Sequence, residues 1–234
     1  MNFKPLASSS KGNCCLVESD GAQSLLLECG IPVKRIREKL NFGISGLAAC
    51  LVSHVHGDHS KAVPDLLKAG VDVYLPRETA EALHVENHHR CHQIIDGRYE
   101  QVSGWMVYPF SLHHDAPALG FFIRDPEGER LLFVPDTAYL KNRFIGVNII
   151  AVECNYIADI LSENIQRGSI PRVVGRRVRR SHMSLDTVIE LLKANDLSRC
   201  REIHLLHLSD GNSDEEVMRR RVQETTGIAT YVAA

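Results

Sequence analysis

Apolar residues along this chain occur in short runs separated by polar turns, and such runs predict β-strands. Longer stretches with apolar residues three or four positions apart predict amphipathic helices. The expected strands are 4–7, 14–18, 24–28, 47–52, 71–75, 105–112, 119–124, 130–134, 148–153, 202–207 and 230–232. The expected helices are 32–41, 61–69, 78–83, 156–166, 185–195 and 214–226, with Ser213 as N-cap of the last. Two blocks of strands and helices without a linker predict one α/β domain over residues 1–234, with two sheets faced by helices.

The composition is that of an ordinary globular protein, since 44% of its 234 residues are hydrophobic and the formal net charge is −2. The overall charge therefore gives no indication of nucleic-acid binding. Seven cysteines are scattered without a CxxC pair, which favours reduced thiols and a cytoplasmic location. The N-terminus lacks the apolar core of a signal peptide, and no apolar run is long enough to span a membrane, so no membrane partner is expected.

The densest group of chemically active residues is the stretch His54-Val55-His56-Gly57-Asp58-His59, which follows the buried strand expected at 47–52. Side chains two positions apart on extended backbone share a face, so the first two histidines can bind one ion. Gly57 is expected to let the chain turn and to aim Asp58 and His59 at a second ion. Imidazole and carboxylate ligands suit zinc, manganese or iron. This loop is therefore predicted to bind metal.

Further residues of the same ligand types stand at the ends of strand-like runs. They are His113, His114, Asp115, Asp136, Glu153 and His207. Strand ends are rigid positions on which α/β enzymes build their sites, so we expect these residues to join the histidine cluster.

The chain resembles the metallo-β-lactamase superfamily, because the pattern His54-x-His56-x-Asp58-His59 matches its signature. Within that superfamily it resembles the phosphodiesterase branch, which includes the tRNA 3′-processing endonucleases and small bacterial and phage nuclease-like proteins. The markers of that small-protein group are Ala7-Ser8-Ser9-Ser10-Lys11-Gly12-Asn13, His114-Asp115-Ala116-Pro117, Asp136-Thr137, Glu153-Cys154-Asn155, Ser181-His182-Met183-Ser184 and His207-Leu208-Ser209. The resemblance implies a four-layer αββα sandwich that holds two divalent ions.

The resemblance also implies which residues bind the ions. His54, His56 and His114 would bind one ion. Asp58, His59 and His207 would bind the other, and Asp136 would bridge the two. His113 competes with His114, which is preferred because it directly precedes the matching Asp-Ala-Pro. Glu28 stands where relatives usually have Asp, and its longer side chain departs from the pattern.

The resemblance implies a phosphodiesterase mechanism in which Asp58, His182 and Glu153 are catalytic. His182, expected in a polar loop, would protonate the leaving oxygen, and Glu153 would orient it. The two cations would lower the pKa of a bridging water, supply hydroxide and stabilise the charge of the in-line transition state.

Six arginines between positions 167 and 180 precede His182 with no acidic residue among them. Guanidinium groups match phosphate geometry, so a phosphodiester substrate is expected here. The arginines expected to bind it are Arg176, Arg177, Arg179 and Arg180. The alternative is a solvated loop that pairs with a second subunit, and a homodimer is therefore a possible assembly. The other dense patch, His84 to His92, is interpreted as a loop bordering the active site rather than as a third metal site.

These features favour a dinuclear metal-dependent phosphodiesterase that acts on DNA or RNA. A cyclic-nucleotide phosphodiesterase is the nearest alternative. A hydrolase of lactones, thioesters or β-lactams would need neither His182 nor the arginines, and a metal-stabilised binding module would need no open coordination position. The sequence leaves open the metal, DNA against RNA, and endo- against exonucleolytic cleavage.

Overall fold

A computed structural model describes residues 1–233 of the chain. These residues divide into two compact units. The first comprises Met1–Ser111 and Ala116–Arg130, and the second comprises Leu112–Asp115 and Leu131–Ala233. The prediction of a single domain over 1–234 stays a prediction. Within the described residues, each helix is too short or too polar to cross a membrane.

The first unit contains a six-stranded sheet with strands in the order of the chain. Its strands are β1 (Asn2–Ala7), β2 (Cys14–Ser19), β3 (Ala22–Leu27), β4 (Leu47–Leu51), β5 (Val73–Pro76) and β6 (Cys91–Ile94). β1, β2 and β3 pair antiparallel, whereas β3 to β6 run parallel. The helices of this unit are α1 (Val33–Lys39), α2 (Gly57–Ser60), α3 (Val63–Lys68) and α4 (Arg77–Ala82).

Burial of the interior strands holds this sheet in place. β4 is an almost unbroken apolar run, as expected of a parallel strand that is covered on both faces. Leu26, Cys50, Val73 and Leu66 belong to one buried cluster that joins the strands to α3. Since β4 is fixed by this core, the histidine-rich loop that follows it starts from a rigid position.

Three further strands of the first unit form an antiparallel meander. They are β7 (Glu100–Val102), β8 (Trp105–Ser111) and β9 (Leu119–Arg124). The Trp105 side chain is fully buried and its indole N–H donates to the Gln23 carbonyl at 2.8 Å, which fixes the start of β8.

The second unit is built on parallel strands. They are β10 (Arg130–Val134), β11 (Ile149–Glu153), β12 (Glu202–Leu206) and β13 (Ala229–Val232). Its helices are α5 (Ala158–Gln166), α6 (Arg172–Ser181), α7 (Leu185–Ala194) and α8 (Glu215–Thr226). The N-cap of α8 is Asp214, which accepts from the Val217 amide at 2.9 Å, so the expectation of Ser213 was wrong.

Helix α6 is the main element that the sequence pattern missed, because the segment before His182 was expected to be a polar loop. Its apolar residues form no buried stripe, as Val173 and Val174 are exposed. The helix packs instead through Gly175, where an added Cβ would lie 2.3 Å from Ile165 Cδ1 of α5. Close approach at a glycine leaves little hydrophobic signal in a sequence, but Val174 and Val178 lie four positions apart, a helical spacing that the expectation of a loop overlooked.

Candidate metal centre and catalytic residues

His54 and His56 lie together in the loop that leaves β4. His54 is completely buried, and its Nδ1 lies 2.8 Å from the Ser53 hydroxyl oxygen. The other ring nitrogen, Nε2, lies 3.0 Å from His56 Nδ1. Two nitrogen ligands of a tetrahedral zinc ion are about 3.3 Å apart, since Zn–N bonds are about 2.0–2.1 Å long. The pair therefore fits a shared divalent ion.

Asp58 and His59 follow on the short helix α2, and their backbone is fixed by two neighbouring segments. The Asn13 amide donates to the Asp58 carbonyl at 2.7 Å, and the Cys29 amide donates to the His59 carbonyl at 2.8 Å. At Gly30 a Cβ would lie 1.6 Å from the Asp58 carbonyl oxygen. Only glycine allows this approach, so Gly30 is a determinant of the loop that sequence reasoning missed.

Gly57 has a different role from the one expected. Gly57 begins α2 and does not have a positive φ, so the loop does not depend on a left-handed conformation at this residue. The turn after the histidine pair is made by the start of the helix itself. Gly57 has no atom within 4 Å of its added Cβ, so a side chain would fit at this position.

Glu28 supports the loop despite its departure from the family pattern. It is completely buried with φ of 63°, a conformation that costs energy for a residue with a side chain. Both carboxylate oxygens accept from the Ser53 amide at 3.3 Å, and Oε2 lies 3.6 Å from His59 Nδ1. A carboxylate beside the outer nitrogen of a metal-binding imidazole orients the ring, so Glu28 suits this role.

In the second unit, Asp136, His114 and His207 converge at the ends of strands. Asp136 follows β10 and is buried, with Oδ1 2.6 Å from His207 Nδ1 and Oδ2 4.0 Å from His114 Nε2. His207 has φ of 55°, and its carbonyl accepts from the Asn155 side-chain amide at 2.9 Å. This donor set of two imidazoles and a carboxylate is suited to a divalent ion.

The two neighbouring histidines after β8 differ in environment. His114 Nδ1 lies 2.8 Å from the Ser181 carbonyl, and since a carbonyl only accepts, Nδ1 carries the proton. Nε2 is then the nitrogen with a lone pair, and it lies 3.1 Å from Asp115 Oδ1 and 4.0 Å from Asp136 Oδ2. His113 is exposed, and its ring lies 4.7 Å from that of Tyr139. These environments favour His114 as the ligand.

Glu153, His182 and Asp136 form a second acidic and histidine-containing group in this unit. His182 Nδ1 donates to Glu153 Oε1 and lies 3.8 Å from Asp136 Oδ2. Burial lowers the pKa of His182, but the charge and hydrogen bond of Glu153, with Asp136 and Asp115, outweigh it and raise the pKa to about 9. The pair is thus arranged to hold a proton beside the site.

The Glu153 carboxylate is held from its other side by backbone amides. Its Oε2 accepts from the Thr137 amide at 2.9 Å and from the Met183 amide at 3.2 Å. Hydrogen bonds of this kind compensate a completely buried carboxylate. The sequence analysis assigned no role to Thr137, because a single threonine in a sequence does not indicate contacts with several distant residues.

Three of the four arginines expected to bind substrate line one cavity of about 500 Å³. They are Arg176, Arg177 and Arg180, and His113, His114, Asp115, Val173 and Ser181 line the same cavity. Arg177 Nε donates to Asp115 Oδ2 at 2.8 Å. Arg179 does not line this cavity, because its guanidinium donates to the Ser162 hydroxyl of α5 at 2.8 Å. Because the segment is a helix, Arg179 faces α5 while the other three arginines line the cavity, a difference that the sequence did not reveal.

The histidine patch between His84 and His92 gives no metal group among residues 1–233. His92 and Arg90 both contact the Asp72 carboxylate, at 2.8 and 2.9 Å. His88 and His89 stack with ring centroids 4.7 Å apart. These contacts give the patch a structural role at the edge of the first sheet.

Comparison with known proteins identifies the family. The model of the beta-lactamase superfamily domain matches residues 26–205. "Exodeoxyribonuclease WalJ" of Streptococcus pneumoniae serotype 2 is 26% identical over 231 residues, covering 92% of this chain and 84% of that protein. "Exodeoxyribonuclease YycJ" of Bacillus anthracis is 26% identical over 238 residues, covering 96% and 88%.

A solved structure agrees along almost the whole length. The metallo-beta-lactamase fold protein YhfI of Bacillus subtilis superposes with a TM-score of 0.76 and 16% identity, covering 99% of this chain and 95% of that one. This likeness concerns the fold. It confirms the expected fold class, an α/β protein with the two sheets and flanking helices of the metallo-β-lactamase fold.

Proposed function

This chain belongs to the beta-lactamase superfamily, and from that membership we propose that it hydrolyses phosphodiester bonds in DNA with two divalent metal ions. Two observations support the proposal. The curated relatives from Streptococcus pneumoniae and Bacillus anthracis are named as exodeoxyribonucleases. The Glu153–His182 pair beside Asp136 provides a proton donor, which a phosphodiesterase uses and a lactonase or β-lactamase does not need. That pair is the single observation that carries the proposal.

In this proposal the ligands divide into two sets. His54, His56 and His114 would hold one ion, Asp58, His59 and His207 would hold the other, and Asp136 would contribute to both sets. The pattern of imidazoles and carboxylates suits zinc, manganese or iron. When bound, the two ions supply Lewis-acid stabilisation of the phosphoryl charge and activation of water as the nucleophile.

The proton for the leaving group comes from His182. Glu153 holds His182 Nδ1, which leaves Nε2 as the atom that can transfer a proton to the departing oxygen. The Thr137 and Met183 amides fix Glu153, so the imidazole keeps its orientation during the reaction. Asp58 acts beside the reacting water, where its carboxylate can orient the nucleophile.

Arg176 and Arg180 of α6 bind the substrate backbone. Arg176 and Arg180 line the cavity that also contains His114, and their planar guanidinium groups match phosphate oxygens. Arg177 is paired with Asp115, so it contributes less free charge than the other two. A cytoplasmic location and a homodimer remain proposals that rest on the sequence alone.

The test is hydrolysis by the purified full chain with added zinc or manganese. The substrates are single- and double-stranded DNA, RNA, cyclic nucleotides and bis-p-nitrophenyl phosphate, with an ester and a lactone for comparison. We expect metal-dependent release of nucleotides from DNA, with RNA and cyclic nucleotides slower. Turnover of the ester or lactone alone, or full DNA cleavage by His182→Ala, would contradict the proposal.

A further inference from the structure

His113 is left without a task by the proposed ligand set, yet it has a defined environment. The residue is exposed, lines the arginine-containing cavity, and its ring lies 4.7 Å from the Tyr139 ring at a tilt of 31°. Tyr139 is itself 37% exposed. Lys141 Nζ lies 5.5 Å from the centre of the Tyr139 ring. Two exposed aromatic rings and a cation thus lie together at the surface.

This pair is fixed rigidly to the residues of the candidate site. The His113 amide donates to the Thr137 hydroxyl at 2.9 Å, and the Ala138 amide donates to the His113 carbonyl at 2.8 Å. The Thr137 hydroxyl also donates to the Tyr139 carbonyl at 2.8 Å, while its amide donates to Glu153. One buried residue therefore positions both rings relative to the proton-donating pair.

The chemistry of the cavity points to a ligand with both a flat ring and a phosphate. The guanidinium groups of Arg176 and Arg180 provide the anion-binding part of the lining. The exposed imidazole of His113 provides a flat π surface, and such surfaces stack nucleobases of any sequence. A base inside a duplex already stacks on its neighbours at both faces and pairs with its partner along one edge. Only an unpaired base can therefore use this surface.

We propose that His113, backed by Tyr139, stacks one unpaired nucleobase at the end of a DNA strand while Arg176 and Arg180 hold neighbouring phosphates. This inference rests on the proposed function and names its substrate class as frayed or single-stranded DNA ends. Tyr139 is a positioning residue here, because it supports the imidazole from behind.

The test measures stacking on the metal-free full chain, so it does not depend on catalysis. Single-stranded oligodeoxynucleotides carry the fluorescent base 2-aminopurine at either the 5′ or the 3′ terminal position. Stacking quenches this fluorescence, so titration with protein in EDTA reports both stacking and the dissociation constant. The variants are His113→Ala, His113→Phe and Tyr139→Ala, with Arg179→Ala as a matched control whose side chain points to Ser162.

We expect the wild-type chain to quench the signal from one of the two ends. His113→Ala should abolish the quenching and weaken binding roughly 5- to 150-fold, the range for loss of one base stack. His113→Phe should retain both, because phenylalanine keeps the flat ring. Tyr139→Ala should give a smaller loss, and Arg179→Ala should match the wild type.

Three outcomes would overturn the inference: no quenching by the wild type, unchanged quenching by His113→Ala, or equal loss with His113→Phe. No quenching by the wild type, or unchanged quenching by His113→Ala, would mean that His113 does not contact a base. Equal loss with His113→Phe would mean that the imidazole acts in some way other than stacking. A separate assay of bis-p-nitrophenyl phosphate hydrolysis keeps this test distinct from the proposed function. If the wild type quenches but hydrolyses no phosphodiester, the proposed function fails and the stacking site stands.

Discussion

Two groups of candidate ligands, one in each unit, are held in different ways. In the first unit, four candidate ligands lie within six positions, and backbone contacts at Gly30 and Asn13 fix Asp58 and His59. In the second unit, the candidate ligands come from separate strand ends, where His114 Nδ1 donates to the Ser181 carbonyl and the Asn155 side chain donates to the His207 carbonyl. A local cluster thus depends on close backbone packing, whereas a distributed one depends on hydrogen bonds that a single substitution can remove.

Replacement of His182 should have the largest effect. His182→Ala removes the proton donor, and general acid catalysis contributes about 10²- to 10⁴-fold, so kcat on DNA should fall by that factor. Hydrolysis of bis-p-nitrophenyl phosphate should fall far less, because nitrophenolate leaves without a proton. The measurement is kcat on both substrates, and an equal loss on the two would assign His182 a structural role.

Replacement of Gly30 tests the backbone packing around Asp58 and His59. Gly30→Ala would place Cβ 1.6 Å from the Asp58 carbonyl oxygen, so the chain must move. We expect a loss of about 3 kcal/mol or more in the free energy of unfolding, at or beyond the usual range for overpacking. Gly57→Ala is the control, since no atom lies within 4 Å of its added Cβ. Urea denaturation measures both, and equal stability of the two variants would contradict the packing argument.

Replacement of the two buried glutamates tests whether Glu28 supports metal binding and Glu153 supports proton transfer. Glu28→Gln should lower metal affinity about 10- to 100-fold, as for other carboxylates beside a metal-binding imidazole. Glu153→Gln should reduce kcat on DNA with a smaller change in metal affinity, because its partner is His182. Calorimetric titration with zinc and steady-state kinetics separate the two effects. The reverse pattern would exchange the roles of the two carboxylates.

Replacement of the arginines should have the smallest effect of these substitutions. Arg176→Ala and Arg180→Ala should each reduce the salt dependence of single-stranded DNA binding by a slope of about 0.7, the value for one lost phosphate contact. Arg179→Ala should leave the slope unchanged, because its guanidinium donates to Ser162. The check is the dissociation constant measured across a range of salt concentrations, and equal slopes for all three variants would remove the distinction between them.

The sequence predicted what is encoded locally or repeated in a family. The cluster from His54 to His59 needs no tertiary information, and the strands that carry Asp136 and Glu153 were visible as apolar runs. The role of Gly30 and the separation of Arg179 from Arg176 could not be predicted, because they depend on packing between segments distant in sequence. Helix α6 was missed for a different reason, because its arginine-rich composition was interpreted as a polar loop although its residues have helical periodicity.

The proposed function depends on the proposal that this chain binds two divalent ions, one through His54, His56 and His114 and one through Asp58, His59 and His207. Calorimetric titration of the metal-free chain with zinc or manganese tests it most directly. We expect two ions per wild-type chain, one ion lost in His114→Ala, and both ions retained in His113→Ala. Binding of no ion or a single ion by the wild-type chain, or loss of an ion from the His113 variant instead, would contradict it.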